Sequence, residues 1–472
     1  METEERRRRR DHRAGNLDRR YDEIERERRS EDIDEYEERR AREEQRRREA
    51  IRRRRKAQRE AQVRRQMMLL GICAIAVIFL LVALIVTAIN ANKDKQGESG
   101  QQDSTVTPSV TPEGENNLPG ENSSEQVTPS QEADEDVLHL IAVGDNIIHE
   151  RVGNSGKSDT GDWSYEHLYQ YVKDDIQAAD LALVVQETIL VEDHDDFTGY
   201  PKFGTPTEVA DALVDAGFDI VTHATNHTMD KGVDEIQFTI DWWKEHQSQI
   251  SVLGIHEDTA DAEEITVVEC NSFKIAMLNY TQLMNFDPDM SGYEYLVDVY
   301  EEDSSREDIR RAKELADLVL VVMHAGTEYS TEVDAATQAM TNVFLEEGVD
   351  IVIGSHPHVL RPMETLVRED GHEMLVYYSL GNFISCQNEL SALLGGMADI
   401  TIKRDKETGE IYVDSAEMIP LMTHYNHDTQ TYAVYKMEDY TEELMLTHSA
   451  YLENPGTFSM DYYNNLYQSV LR

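Results

Sequence analysis

The chain has 472 residues, of which 93 are Asp or Glu and 45 are Lys or Arg, for a net charge of −48. About 25 of those 45 basic residues precede residue 67, so the remainder is strongly acidic and bulk charge excludes it from holding nucleic acid or another polyanion. An anion handled there needs a local source of positive charge, which a bound metal would supply; Cys73, Cys270 and Cys386 show neither a metal-type spacing nor a disulfide framework.

Residues 1–66 interleave Arg and Glu and predict a charged cytoplasmic tail. It is strongly basic from Arg46 onward, where it would rest against anionic headgroups. Residues 67–89 carry no charge, and at ~1.5 Å per residue a helix of that length spans the ~30 Å hydrocarbon layer. Basic sequence before the run and acidic sequence after it predict a cytoplasmic N-terminus and an extracytoplasmic C-terminal domain. The run starts far from the N-terminus and has no small-residue cleavage site, so the expectation is an uncleaved signal anchor in a single-pass protein of the cell membrane. Residues 90–136, rich in Gly, Ser, Thr, Pro, Gln and Glu, predict a disordered linker.

From Val137 short β-branched runs alternate with helical patterns. VLHLIAV is followed by a helix around Tyr165 to Ala178, LALVV by a helix from Thr207 to Ala216, and FDIVT by one from Val233 to Gln247. Later come VVMHAG, a helix from Val333 to Glu347, DIVIG and LVYYSLGNF. This alternation predicts an α/β domain over 137–437. EITVVECNSFKIAMLNY instead reads as a hairpin turning at Asn271-Ser272, which makes the sheet mixed. Residues 438–472 form a Tyr- and acid-rich extension to which the sequence assigns no role.

In open α/β folds ligands sit at the carboxyl ends of strands. Asp145 follows the first strand, Glu187 the second and Asn226-His227 the third. His324 and Glu328 follow LVLVVM, His356-Pro357-His358 follow DIVIGS, and Gly381-Asn382 follow LVYYSL. A cap, a surface carboxylate or a packed imidazole explains any one of these alone. Their recurrence at strand after strand points to a shared site. Two carboxylates, an amide oxygen and three imidazoles suit Mn, Fe or Zn better than Ca or Mg. One or two such divalent ions would polarise a water and clamp an anionic oxygen.

The series GDN, QET, GFDIVTHATNHTMDKG, VVMHAGTEYS, DIVIGSHPHVLRPME and YYSLGNF resembles the CapA-type capsule synthesis family, associated with poly-γ-glutamate, over most of residues 137–390. That family is similar in motif order to calcineurin-like metallophosphoesterases. The resemblance implies a four-layer αββα sandwich with a two-metal site at the sheet edge. It implies Asp145 and His358 on a first metal, Glu187 bridging, and Asn226, His324 and His356 on a second. It makes His227 the acid or phosphate-contacting histidine. Ile147 stands where the phosphoesterase pattern has a histidine two residues after its aspartate, which leaves one metal or two open. Gln186 and Thr225 also stand where the family usually has Asn.

Lys202, Glu328 and Arg361 are candidate substrate contacts, each set against an ordinary surface or packing role. Ser379, Gly381 and Asn382 read as architectural, and Trp242 and Trp243 as packing. His139, His149, His167, His194, His223, His246, His256 and His372 carry no functional expectation. Two functions follow. One is a membrane-anchored metal-dependent hydrolase acting on an anionic polymer, its precursor or a phosphoester. The other is a non-catalytic polymer-binding part of a membrane polymer-synthesis complex. A purely structural wall-layer protein leaves the strand-end donors unexplained.

Overall fold

The computed structural model describes residues 136–285, 290, 292–454 and 456–471. The charged tail, the predicted membrane span at 67–89 and the linker as far as residue 135 lie outside the described residues. Among the described residues no helix is long and apolar enough to cross a membrane.

The described residues form sixteen strands in chain order: β1 Val137–Asn146, β2 Leu181–Gln186, β3 Leu190–Val191, β4 Thr205–Pro206, β5 Ile220–Thr222, β6 Ser251–Leu253, β7 Thr266–Cys270, β8 Phe273–Thr281, β9 Leu318–His324, β10 Ile351–Ser355, β11 Met363–Val367, β12 Glu373–Tyr377, β13 Asn382–Ile384, β14 Leu394–Arg404, β15 Ile411–Asn426 and β16 Thr431–Lys436. Eight form a sheet in the order β16-β15-β14-β1-β2-β5-β6, with β13 also paired to β1. Six form a second sheet in the order β11-β12-β10-β9-β8-β7. The centre of each sheet is parallel, β1 with β2 and β5 in the first, β8 with β9, β10 and β12 in the second. Antiparallel strands flank both centres, so the fold is mixed α/β. The hairpin read from sequence is β7–β8, and Asn271 in its turn takes φ 52°, a conformation Asn tolerates better than most residues.

Period-two alternation explains how the layers stack. In β9, Leu318, Leu320 and Val322 join the core shared with the first sheet, whereas Val319, Val321 and Met323 join a second cluster. That second cluster contains Ile309 and Ala312 of the helix Glu302–Leu315 and Met340 and Phe344 of the helix Ala335–Glu347. β8, β10 and β12 alternate in the same way. The second sheet is thus covered by the first sheet on one face and by helices on the other. This double burial is why its strands read as continuous apolar runs.

The first sheet gains Val209, Leu213 and Ala216 from the helix Thr207–Ala216 and Trp243 from the helix Val233–His246. The helix predicted around Tyr165 to Ala178 is two short helices, Glu166–Tyr169 and Lys173–Ala178. Residues beyond 437 add Tyr440, Met445, Phe458 and Tyr463 to the same core. Burying side chains of this size contributes about 1.5–3 kcal/mol each.

Candidate metal centre

The parallel strands of both sheets deliver their carboxyl ends to one place. Asp145, the penultimate residue of β1, is fully buried. Its approach is tight: a Cβ on Gly144 would lie 1.9 Å from the Gly381 carbonyl, and the Asp145 N–H donates to that carbonyl at 2.9 Å. The Asp145 carboxylate accepts from the His356 backbone N–H at 3.1 Å and lies 3.2 Å from His358 Nδ1. One residue beyond β2, Glu187 is 1% exposed, and neither of its carboxylate oxygens has a hydrogen-bond partner among the described residues. Its oxygens lie 3.8 Å from His227 Nε2, 3.9 Å from His324 Nε2 and 3.8 Å from His358 Nδ1.

The second sheet supplies the imidazoles. His324, the last residue of β9, contacts Ser355 Oγ through Nδ1 and Asn226 Oδ1 through Nε2, both at 2.8 Å. His356 and His358 follow β10 with φ values of 94° and 60°. Each is costly for a residue with a Cβ, on the order of 1–3 kcal/mol. The loop holding them is fixed by the Asp145 contacts and by the Tyr329 N–H donating to the Pro357 carbonyl at 2.8 Å. Strain held this firmly aims both rings inward, and His356 Nδ1 is buried without a partner.

Donor atoms of Glu187, His324 and His356 all lie within 4.8 Å of one another, and so do those of Asp145, Glu187 and His358. Glu187 belongs to both groups. The electrostatics fit a cation. Burial, then the Asp145, Glu328 and Asp230 charges, push the Glu187 carboxyl well above its ordinary range. Burial, then the neighbouring imidazoles, hold His324 well below its usual value and His356 down to about 3. Buried imidazoles around an unpartnered carboxylate form a set of donors that a cation would satisfy. The donors suit Mn, Fe or Zn.

His227 stands beside this set. Its Nδ1 is 2.7 Å from Asp230 Oδ2, and Asp230 also accepts from the Phe203 N–H at 2.8 Å. The carboxylate therefore fixes the ring, with Nε2 toward Glu187. Asn226 is oriented by Asn285, whose Oδ1 accepts from its amide at 3.0 Å.

A cavity of about 410 Å³ opens over Glu187, His227 and His358, and Glu328 lines it as well. Two of the candidate substrate contacts, Lys202 and Arg361, are not among the residues lining this cavity. Lys202 is exposed. Arg361 is fully buried, and its guanidinium donates to the Ser330 carbonyl at 2.9 Å and the Thr327 carbonyl at 3.2 Å. It therefore braces the loop that follows β9. His149, to which the sequence assigned no role, also lines the cavity. Its Nδ1 accepts from the Cys386 N–H at 3.2 Å, and burial pushes its pKa down to about 4. Its place one turn beyond β1 was the available signal. A second cavity, about 260 Å³ and lined by Trp243, Lys244 and His256, shares no lining residue with the first.

The family described as "Bacterial capsule synthesis protein PGA_cap" matches residues 139–387. "Capsule biosynthesis protein CapA" of Bacillus anthracis is 25% identical over 279 residues, covering 55% of this chain and 63% of that protein. "PGA biosynthesis protein CapA" of Bacillus subtilis (strain 168) is 26% identical over 260 residues, covering 53% of this chain and 64% of that protein. "Uncharacterized protein y4sH" of Sinorhizobium fredii (strain NBRC 101917 / NGR234) is 22% identical over 356 residues, covering 60% and 73%. The chain spans less than two thirds of the length of the first two relatives.

Proposed function

This chain belongs to the bacterial capsule synthesis protein family PGA_cap, and from that premise we propose that it serves capsule polymer synthesis or export through a metal-dependent, hydrolase-type site. The observation that carries this reading is Glu187, a buried carboxylate with two unpartnered oxygens, shared by two groups of metal-ligating side chains. On this reading the two packed sheets with outer helices are the four-layer αββα sandwich of the metallophosphoesterases. Asp145 and His358 would help to hold one divalent ion, Asn226, His324 and His356 a second, and Glu187 belongs to both groups of donors. Mn, Fe or Zn would supply Lewis acidity and an activated water.

The protein's own contribution is placement. His227, oriented by Asp230 through Nδ1, presents Nε2 beside Glu187, where it would meet an anionic oxygen or a leaving group. The cavity admits a chain end or a small ester. The substrate on this reading is poly-γ-glutamate, a precursor of it or a phosphoester, and anchoring through residues 67–89 would hold the domain outside the cell membrane beside polymer-synthesis partners.

One observation favours a non-catalytic polymer-binding role on the same fold. Ile147 occupies the position of a further ligand in the phosphoesterase pattern, and the group around Asp145 has three members. Elemental analysis of the purified full chain, followed by a chromogenic phosphodiester assay with added Mn²⁺, separates the two. One to two metals per chain with turnover supports the hydrolase. Metal without turnover supports the binding role, and no metal after loading overturns the metal centre.

A further inference from the structure

Building on the metal-centre reading, we propose that the cavity over Glu187 selects a ligand carrying an ammonium group next to the oxygen function that the metals would hold. Among the described residues no Lys or Arg lines the cavity, whereas Glu328 and Glu389 both do. Among the described residues neither of these two carboxylates enters an ion pair. Glu328 and Glu389 are exposed, so both stay in reach of an incoming ligand. Tyr200, 80% exposed, and Tyr329, 44% exposed, line the same mouth. The Tyr329 ring lies 5.8 Å from that of His358. The mouth and the metal-ligating floor are therefore one ring apart.

Carboxylates with exposed aromatic faces form the surroundings that favour an ammonium, through charge and through the ring quadrupole. The same surroundings repel the repeated carboxylates of a polyanionic chain. The second, independent pointer to a ligand is Glu187 itself, buried on the cavity wall with both oxygens unpartnered. An anionic or carbonyl oxygen at the floor and an ammonium at the mouth describe a zwitterionic end group. Two sources carry it: an amino alcohol phosphoester, and the free amino end of a γ-glutamyl chain.

The test is a calorimetric titration of the Mn²⁺-loaded full chain with matched pairs of probes. The first pair is O-phosphoethanolamine against ethyl phosphate. The second is γ-glutamyl-glutamate against its N-acetylated form. The proposal expects the amine-bearing member of at least one pair to bind about tenfold more tightly than its partner, and the pair with the larger ratio identifies the source. Glu328→Gln/Glu389→Gln, two exposed and isosteric changes, should reduce that ratio to near one without changing metal content. Equal binding within both pairs, or a ratio that survives the double substitution, overturns the proposal and leaves the metal centre standing. Failure to bind Mn²⁺ overturns the metal-centre reading and this proposal with it.

Discussion

The backbone N–H of His356 donates to the Asp145 carboxylate at 3.1 Å, joining the end of β10 in one sheet to the end of β1 in the other. The carboxylate also faces His358 Nδ1 at 3.2 Å. One side chain thus stabilises a strained His-Pro-His turn and offers a ligand oxygen. Asp145→Asn keeps the shape and an acceptor while removing the charge. Elemental analysis should show the metal content falling by about one ion per chain, with the His324–His356 position still loaded. An unchanged content would show that Asp145 serves only the turn.

Glu187 gives effects of opposite sign with and without metal. In metal-free protein its buried, unpartnered carboxylate opposes folding once ionised. Its folded pKa is raised, so the folded state holds a proton the unfolded state has released above about pH 4.5. Stability contributed by this group is therefore lost as pH rises from that value through the folded pKa. Glu187→Gln should raise the stability of metal-free protein at pH 7 by about 1–3 kcal/mol, and should abolish the stabilisation by Mn²⁺ that wild type shows. Urea unfolding in chelator and in Mn²⁺ measures both. A destabilised metal-free variant would show that the carboxylate is satisfied in the fold.

These two residues also show what the sequence made legible. Asp145, Glu187, His324 and His356 each follow a run of β-branched residues, and parallel strands bring such positions to one edge whatever the loops do. Periodicity was enough to place them. The sequence left Arg361 open between a substrate contact and a packing role, because a guanidinium in a polar loop looks available until the loop is folded around it. The cavity wall was not legible, because Tyr200, Tyr329 and Glu389 come from three aperiodic segments that only tertiary packing brings together. The long antiparallel strands β14 and β15 were also missed. Much of β15 is only partly buried and mixes polar with apolar residues.

Arg361 carries its own prediction. Its guanidinium holds the Ser330 and Thr327 carbonyls and approaches Asp334 Oδ2 at 3.7 Å, and Asp334 in turn caps the helix Ala335–Glu347. A Cβ on Gly326 would lie 2.5 Å from the Arg361 Nη1, so the loop closes directly on this group. Arg361→Ala should cost about 2–4 kcal/mol in urea unfolding, from two orphaned carbonyls and lost packing. Arg361→Lys should recover less than half of that, since an ammonium lacks the planar fork. Full rescue by Lys would mean that charge alone matters at this position.

His223 predicts how stability responds to acid. Trp243 Nε1–H donates to His223 Nε2 at 3.1 Å, so that nitrogen must stay unprotonated in the fold. Burial pushes the His223 pKa down to about 3, against 6.5 in the unfolded chain. The unfolded state therefore binds the extra proton as pH falls below about 6.5, and the folded state does not until near pH 3. Stability is lost on acidification through that window, by about 1.4 kcal/mol per pH unit for this ring. His448, likewise pushed down to about 3 by burial, adds a similar slope. His223→Gln offers an amide oxygen to Trp243 and cannot titrate. In chelator, its unfolding free energy between pH 6.5 and 5 should fall less steeply than that of wild type, by about 1.4 kcal/mol per unit. Parallel slopes would mean that Trp243 moves aside and His223 takes up its proton within the folded state.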